Sequence, residues 1–446
     1  MTQFEVLLLA GPYDGMADTV RRHVKMLTRN SRHHITEYRM LGAIDRHLDL
    51  DRFDGLIVHY TLIMASKSYI DERARRLITK FKGLKVAYIQ DEYRFINNTV
   101  DAIAELGIDV LFSVCDAKAI SQIYAHPKIA GVRKETTLTG FVPEHLLTRS
   151  VADYEARPLD IAYRARDLSG RLAWLGEIAA EKGFIGKRFK QDAARYDLSC
   201  DISGEEADRI YGDAWFEFLA SARATLGTES GASVCDFTGE IQKRVEDRWF
   251  REPDTPFEVL KRDYFAELDG KIIATAISPR SFEAAALRTL MICYPGHYSG
   301  ILEPWRHYVP LERDHSNMDE VVAVLRDPKR AGEIICNAYS EIACNPKYHF
   351  SELARHFDGV FREEFAARGK VLAAAPRGGV YYEEYLKTHA HRLRIKAAVA
   401  GVRQYLLTSR SILPRLFRLV YGGPRLWWRV GVNKTKLGLQ VLRRRR

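Results

Sequence analysis

The sequence predicts an α/β protein with two parallel-sheet halves facing across a cleft and a basic helical C-terminal tail. Three observations predict it. Short apolar runs alternate with amphipathic stretches, the pattern of a parallel sheet covered by helices on both faces. That pattern breaks at a polar, irregular stretch around 150–158 and then restarts. From Tyr385 to the C-terminus there are sixteen Lys or Arg and no Asp or Glu, so the tail follows a different rule from the body.

In the first half, residues 1–150, the runs FEVLLLA (4–10), ITEYRM (35–40), DGLIVHY (54–60), KVAYIQ (85–90), VLFSVC (110–115) and TTLTGF (136–141) are expected as strands. The second half, 158–368, opens on the strand DIAYRA (160–165) and a long helix from about 171 to 195. YDLSCDI (196–202) and ARATLGT (222–228) are the next strands, with a helix through YGDAWFEFLASA between them. A helical stretch at about 238–268 interrupts the alternation and has no evident role. MICY (291–294) and HYVPL (307–311) complete the sheet, and helices run on to 368. The tail spans 380–446.

A chain of 446 residues is long enough for two or three domains. Six scattered cysteines without a C-x-x-C pair argue against a disulfide framework or zinc ribbon, and fit reduced thiols in a cytoplasm. The N-terminus carries Glu5 within its apolar run and reads as a first strand, not a signal peptide. No long uncharged apolar run is present, so no spanning helix is expected. Outside the tail, 52 basic residues face 58 acidic ones, which makes a mildly acidic body with a cationic end.

In parallel sheets ligands bind beyond the carboxyl ends of strands. There the first half offers Gly11, His59, Asp91 and Glu92. The second offers Arg164 and Arg166, the loop Gly227-Thr-Glu229-Ser-Gly231-Ala-Ser233, and Ser278-Pro279-Arg280 opening a helix that carries Glu283. Arginine forks and helix N-termini both suit phosphate. Ser278 is expected as the N-cap and Pro279 as N1. Each residue has a plainer reading too. Glu283 also suits a helix dipole. Asp91 and Glu92 also suit a solvated loop or a cap, and His59 a core histidine. Arg164 and Arg166 also suit a surface, and the spaced glycines an ordinary turn. Asp49-Leu-Asp51 reads as solvated, and no cluster has metal-ligand spacing.

The segment ISPRSFEAAALRTLMICYPGHYSGILEPWRHYVPLERDHSNMDEVVAVLRD resembles the nucleotide-sugar-binding segment of GT-B glycosyltransferases, of the group 1/family 4-like set that includes CgeB-like enzymes. DIAYRARDLSGRLAWLGEIAAEKGFIG resembles the opening of their second Rossmann-like domain, and LGTESGASVCDFTGEI and VAYIQDEYRFIN also resemble family segments. The likeness spans roughly residues 1 to 365. It implies a GT-B fold and a ribose contact for Glu283. It also implies a basic pair on the donor diphosphate, matched best by Arg166 and Lys182. One departure concerns a second acid in an E-x7-E arrangement, because counting back from Glu283 meets Ala276 and Thr275. Retention and inversion of the anomeric centre are therefore both open.

The reaction expected is sugar transfer from a nucleoside-diphosphate donor to a hydroxyl of a glycan or lipid-linked acceptor, with no cofactor and no metal. Arg166, Arg280 and Lys182 would stabilise the leaving diphosphate. Under inversion the base is sought in the order Asp91, Glu92, His59. The tail mixes aliphatic residues, tryptophans and cations, which suits an anionic membrane surface better than nucleic acid. That points to envelope polysaccharide or glycolipid synthesis at the inner face of the cell membrane. The alternatives are a GT-B-like sugar-nucleotide epimerase and a non-catalytic membrane scaffold with a decayed donor site.

Overall fold

The computed structural model describes residues 2–13 and 16–408. The chain divides into two units, Met1–Tyr385 and Leu386–Arg446. The larger unit holds two parallel α/β halves. The strands are β1 (Glu5–Ala10), β2 (His34–Arg39), β3 (Gly55–Val58), β4 (Leu84–Tyr88), β5 (Val110–Ser113) and β6 (Arg133–Thr136), then β7 (Leu159–Arg164), β8 (Cys200–Ser203), β9 (Ala222–Gly227), β10 (Ser230–Ala232), β11 (Ala274–Ala276), β12 (Leu290–Cys293) and β13 (Val309–Pro310). The helices are α1 (Asp18–Asn30), α2 (Glu72–Lys80), α3 (Ile96–Leu106), α4 (Ala117–Ile123), α5 (Glu177–Ala193), α6 (Asp213–Ala220), α7 (Glu240–Arg251), α8 (Phe257–Tyr264), α9 (Pro279–Ala286), α10 (Met318–Arg326), α11 (Pro328–Ala338), α12 (Phe350–Ala367) and α13 (Gly378–Thr408).

Among the described residues the first sheet has the order β2-β1-β3-β4-β5-β6 and the second β13-β12-β9-β7-β8, and every pairing in both is parallel. The central strands are buried on both faces, as covered parallel sheets require. In each sheet the chain grows first to one side of the opening strand and then to the other, so each has a crevice where the direction reverses.

Several elements depart from the sequence expectation. β6 ends at Thr136, and the rest of TTLTGF leaves the sheet to touch the second half. The Thr139 hydroxyl donates to the Ile277 carbonyl, and Gly140 packs on Pro279. β8 begins at Cys200 because Tyr196 closes a 3-10 turn and Asp197 is left-handed at φ +52°. The antiparallel pair β10–β11 was not expected, since its residues are too small to read as an apolar strand. The 150–158 stretch is pinned rather than loose: Arg157 is buried and donates to the Ala222 and Leu287 carbonyls at 2.9 and 3.1 Å.

The second-half boundary at 368 also needs correction. α12 returns to the first half, where Phe350, Phe357, Phe361 and Phe365 join Phe4, Val86 and Phe112 in one core. The start of α13 does the same: Tyr381 accepts from the Asp49 amide at 2.7 Å and donates to the His47 carbonyl at 2.9 Å. The expected helical tail is helical as far as Thr408, and the remainder, with its tryptophans and terminal arginines, lies outside the described residues. Among the described residues no helix is long and apolar enough to cross a membrane.

Candidate active site

The crevice of the second sheet lies between the ends of β7 and β9. It holds a cavity of about 320 Å³ walled by Arg166, Lys182, Gly227, Thr228, Ser278 and Arg280. A second cavity of about 270 Å³ shares Arg166, Arg209, Ser278 and Arg280 with the first. It adds Tyr211, Trp215 and Glu283, and reaches Ala17, Asp18 and Thr19 of the first half. A third, about 320 Å³, shares Leu168 and Lys182 with the first and is closed by Tyr60, Gln90 and Asp91 across the cleft. The three cavities share walls, and the second and third are lined by residues of both halves.

Local sequence explains this arrangement. Gly227 ends β9 with no room for a side chain, since a Cβ there would lie 2.5 Å from Cys293 Sγ. The bare backbone lets a ligand approach the strand end. Pro279 starts α9 at its first position, and Ser278 precedes it with its side chain making no cap bond. The helix amides and the Ser278 hydroxyl are therefore available to the cavity. Ala284, Ala285 and Ala286 are buried against the sheet, which holds the helix close.

Arg280 lies over the rings of Tyr163 and Trp215 at 5.0 and 5.3 Å and donates to the Arg164 carbonyl at 2.6 Å. Its buried Nε has no partner among the described residues. Glu283 accepts from Trp215 Nε1 at 2.8 Å. Burial lifts its carboxyl to about 7, against the opposing pull of that bond and of Arg280. Lys182 projects from α5 between the first and third cavities, and its ammonium makes no hydrogen bond or ion pair among the described residues. Burial, then the neighbouring Arg280 charge, lowers its ammonium to about 8, while Asp91 acts in the opposite sense. Arg166 and Arg209 are more exposed and share Glu206, at 3.5 and 2.8 Å.

On the first-half side, Asp91 follows β4 in the left-handed region at φ +56°, and its carboxylate accepts from the Tyr93 hydroxyl at 2.5 Å. It is exposed and faces the third cavity.

Other expected residues serve the fold. Glu92 is buried and accepts from Ser113 Oγ, the Val114 amide and Tyr124 at 2.8, 2.8 and 2.6 Å, so its lone pairs are already used. His59 is fully buried between His23 and Thr61, lines none of the three cavities and is held neutral by burial. It is a core histidine, and neither His59 nor Glu92 is placed as a base. Arg164 lines the wall of the second cavity, but its guanidinium is engaged at the β8 edge, pairing with Asp201 at 2.8 Å and the Asp208 carbonyl at 3.1 Å. Glu229 braces the Tyr298 amide at 3.0 Å, outside the cavity walls. Ser233 is buried and accepts from the Ile178 amide at the start of α5, at 3.3 Å. These side chains strengthen strand ends, where buried backbone groups need partners.

Arg209 and Trp215 were not singled out from the sequence. Arg209 lies in the loop after β8, so the strand-end rule reaches it once that loop is included. Trp215 read only as an apolar helix residue, and nothing in its spacing signals that its indole N–H meets Glu283.

No family model matches the chain, and no curated protein matches it. Three solved structures with similarity to it can be named. TarM is 11% identical with a TM-score of 0.41, the match covering 71% of this chain and 56% of that one. The DNA-modifying enzyme β-glucosyltransferase is 12% identical at 0.41, covering 81% and 98%. Anabaena Alr3699/HepE in complex with UDP and glucose is 11% identical at 0.43, covering 81% and 100%. This chain thus spans little more than half the length of TarM. At these identities each is a likeness of fold, and the chemistry of the site rests on its own residues.

Proposed function

We propose that this chain is a glycosyltransferase that moves a sugar from a nucleoside-diphosphate donor to an acceptor hydroxyl. The observation that carries the reading is the unpaired Lys182, set with Arg166, Arg209 and Arg280 around the crevice of the second sheet and opposite Asp91. A diphosphate leaving group gathers negative charge as the anomeric C–O bond breaks. Four cations and the α9 amides suit that charge, in this reading without a metal ion. Glu283, oriented by Trp215, accepts hydrogen bonds from adjacent ribose hydroxyls. The sugar then extends toward the third cavity, where Asp91 takes the proton of the incoming hydroxyl under an inverting course. The sequence resemblance to CgeB-like enzymes supports this reading. The cationic tail fits a lipid-linked or envelope acceptor at an anionic membrane surface on the cytoplasmic side.

The test is thermal unfolding against UDP, GDP, ADP, dTDP and their hexose conjugates, since a ligand of the native state raises Tm. At least one of these compounds should raise the wild-type Tm, and Lys182→Met should reduce that rise at the same ligand concentration. No response to any compound defeats the reading. Asp91→Asn should keep the response and lose transfer. Co-sedimentation with vesicles of anionic phospholipid tests the tail, where equal binding to neutral vesicles counts against it.

A further inference from the structure

The helical stretch at 238–268, without a role in the sequence, belongs in the structure to a core that packs against Tyr93, the residue whose hydroxyl is bonded to Asp91. α7 and α8 form a small core with the start of α5, built on Trp174, Val234, Val245, Phe257, Leu260 and Phe265. Tyr93 of the first half packs against that core, its ring 6.3 Å from Trp174 in an edge-on contact. Its hydroxyl turns outward to Asp91.

Backbone pairing fixes this reach. The Asp236 amide donates to the Tyr93 carbonyl at 2.7 Å, and the Asn97 amide donates to the Phe237 carbonyl at 3.0 Å. The buried Asp236 carboxylate accepts from the Gly239 and Gln242 amides at 2.7 and 2.9 Å, tying the segment to the head of α7. Gly239, at φ +86°, has no space for a Cβ, which would lie 2.0 Å from the Phe95 ring. Phe95 itself is left-handed at φ +48°. Non-glycine residues rarely hold that conformation, so Phe95 and Asp91, four residues apart, are both set by their surroundings.

We propose that the 236–239 segment and its helical insertion are the positioning device for Asp91: they hold Tyr93, and the Tyr93 hydroxyl holds the carboxylate toward the cavity. This rests on the glycosyltransferase reading only for what Asp91 does, not for how it is held. Asp236 lines none of the three cavities and Tyr93 only the wall of the third, where its hydroxyl is bonded to Asp91; both are positioning residues because they act through that carboxylate.

The test follows the Asp91 carboxyl directly in full-length protein labelled with ¹³Cγ-aspartate. Its NMR resonance is assigned by its loss in Asp91→Asn. Tyr93→Phe should displace it. Asp236→Asn, which removes a group that does not touch Asp91, should displace it in the same direction with the protein still folded. Phe95→Leu, a milder change at the Gly239 contact, should do the same and stands in if Asp236→Asn unfolds. A role confined to stability lowers Tm and leaves the resonance of the folded protein in place. An unmoved resonance in Tyr93→Phe, or in both Asp236→Asn and Phe95→Leu, overturns the proposal. Full sugar transfer by Asp91→Asn instead sinks the base assignment and leaves the positioning result standing, so the two failures are distinguishable.

Discussion

Lys182 and Glu283 titrate close together, at about 8 and about 7, and the proposed chemistry needs them in opposite states. Phosphate wants the ammonium, which is lost as pH rises through 8. Ribose hydroxyls want the carboxylate, which is lost as pH falls through 7. Nucleoside-diphosphate affinity should therefore peak between these values and fall on both sides, as titration calorimetry from pH 5.5 to 9.5 will show. Lys182→Met should flatten the alkaline limb and weaken binding by about 10- to 100-fold, the worth of one charge-assisted contact. Stability runs the other way for Glu283. Its carboxyl is raised in the folded state, so stability is lost as pH rises from its usual value of 4.5 toward 7. Glu283→Gln keeps an acceptor for Trp215 and removes the buried charge. It should raise stability by about 2 kcal/mol at pH 8 and by little at pH 5, read from denaturant midpoints at each pH.

At the scale of elements, α9 carries an unusual cap. Replacing a Ser N-cap by Ala commonly costs about 1 kcal/mol. Ser278 makes no such bond, so Ser278→Ala should leave the Tm of the unliganded protein unchanged and lower nucleotide affinity several-fold. A drop in the unliganded Tm contradicts this. The helix, its proline and its alanines were legible because cap chemistry is local. So were the central strands, whose apolar runs are set by burial on two faces. β6 was read too late in the chain because the Thr-rich run after it packs between the halves, and contact with another half resembles burial in a sheet. Arg164, Glu229 and Ser233 were correctly placed at strand ends. Glu229 and Ser233 turn to backbone partners, and Arg164, at the wall of the second cavity, is tied to Asp201 and to backbone carbonyls; a one-dimensional pattern does not encode which way a side chain turns. The contacts of the 236–239 segment with loop 93–97 join residues some 140 positions apart, beyond the reach of any local pattern.

At the scale of the molecule, the two halves belong to one body because the chain crosses between them more than once. Phe361 of α12 packs with Phe4, Phe357 and Phe365 inside the first half. Phe361→Ala should cost about 3–5 kcal/mol, measured by equilibrium unfolding. The separate-halves view taken from sequence put this helix on the wrong side, since its amphipathic pattern fits either sheet.

That return of α12 bears on recombination. A hybrid made by exchanging everything after residue 158 for the corresponding part of a related protein would give the recipient first half a foreign covering helix over Phe4 and Phe112. Exchanging only 158 to about 345, and keeping the parental 350–385, leaves each sheet with the helices that evolved beside it. Yield of folded hybrid is the quantity that separates the two designs.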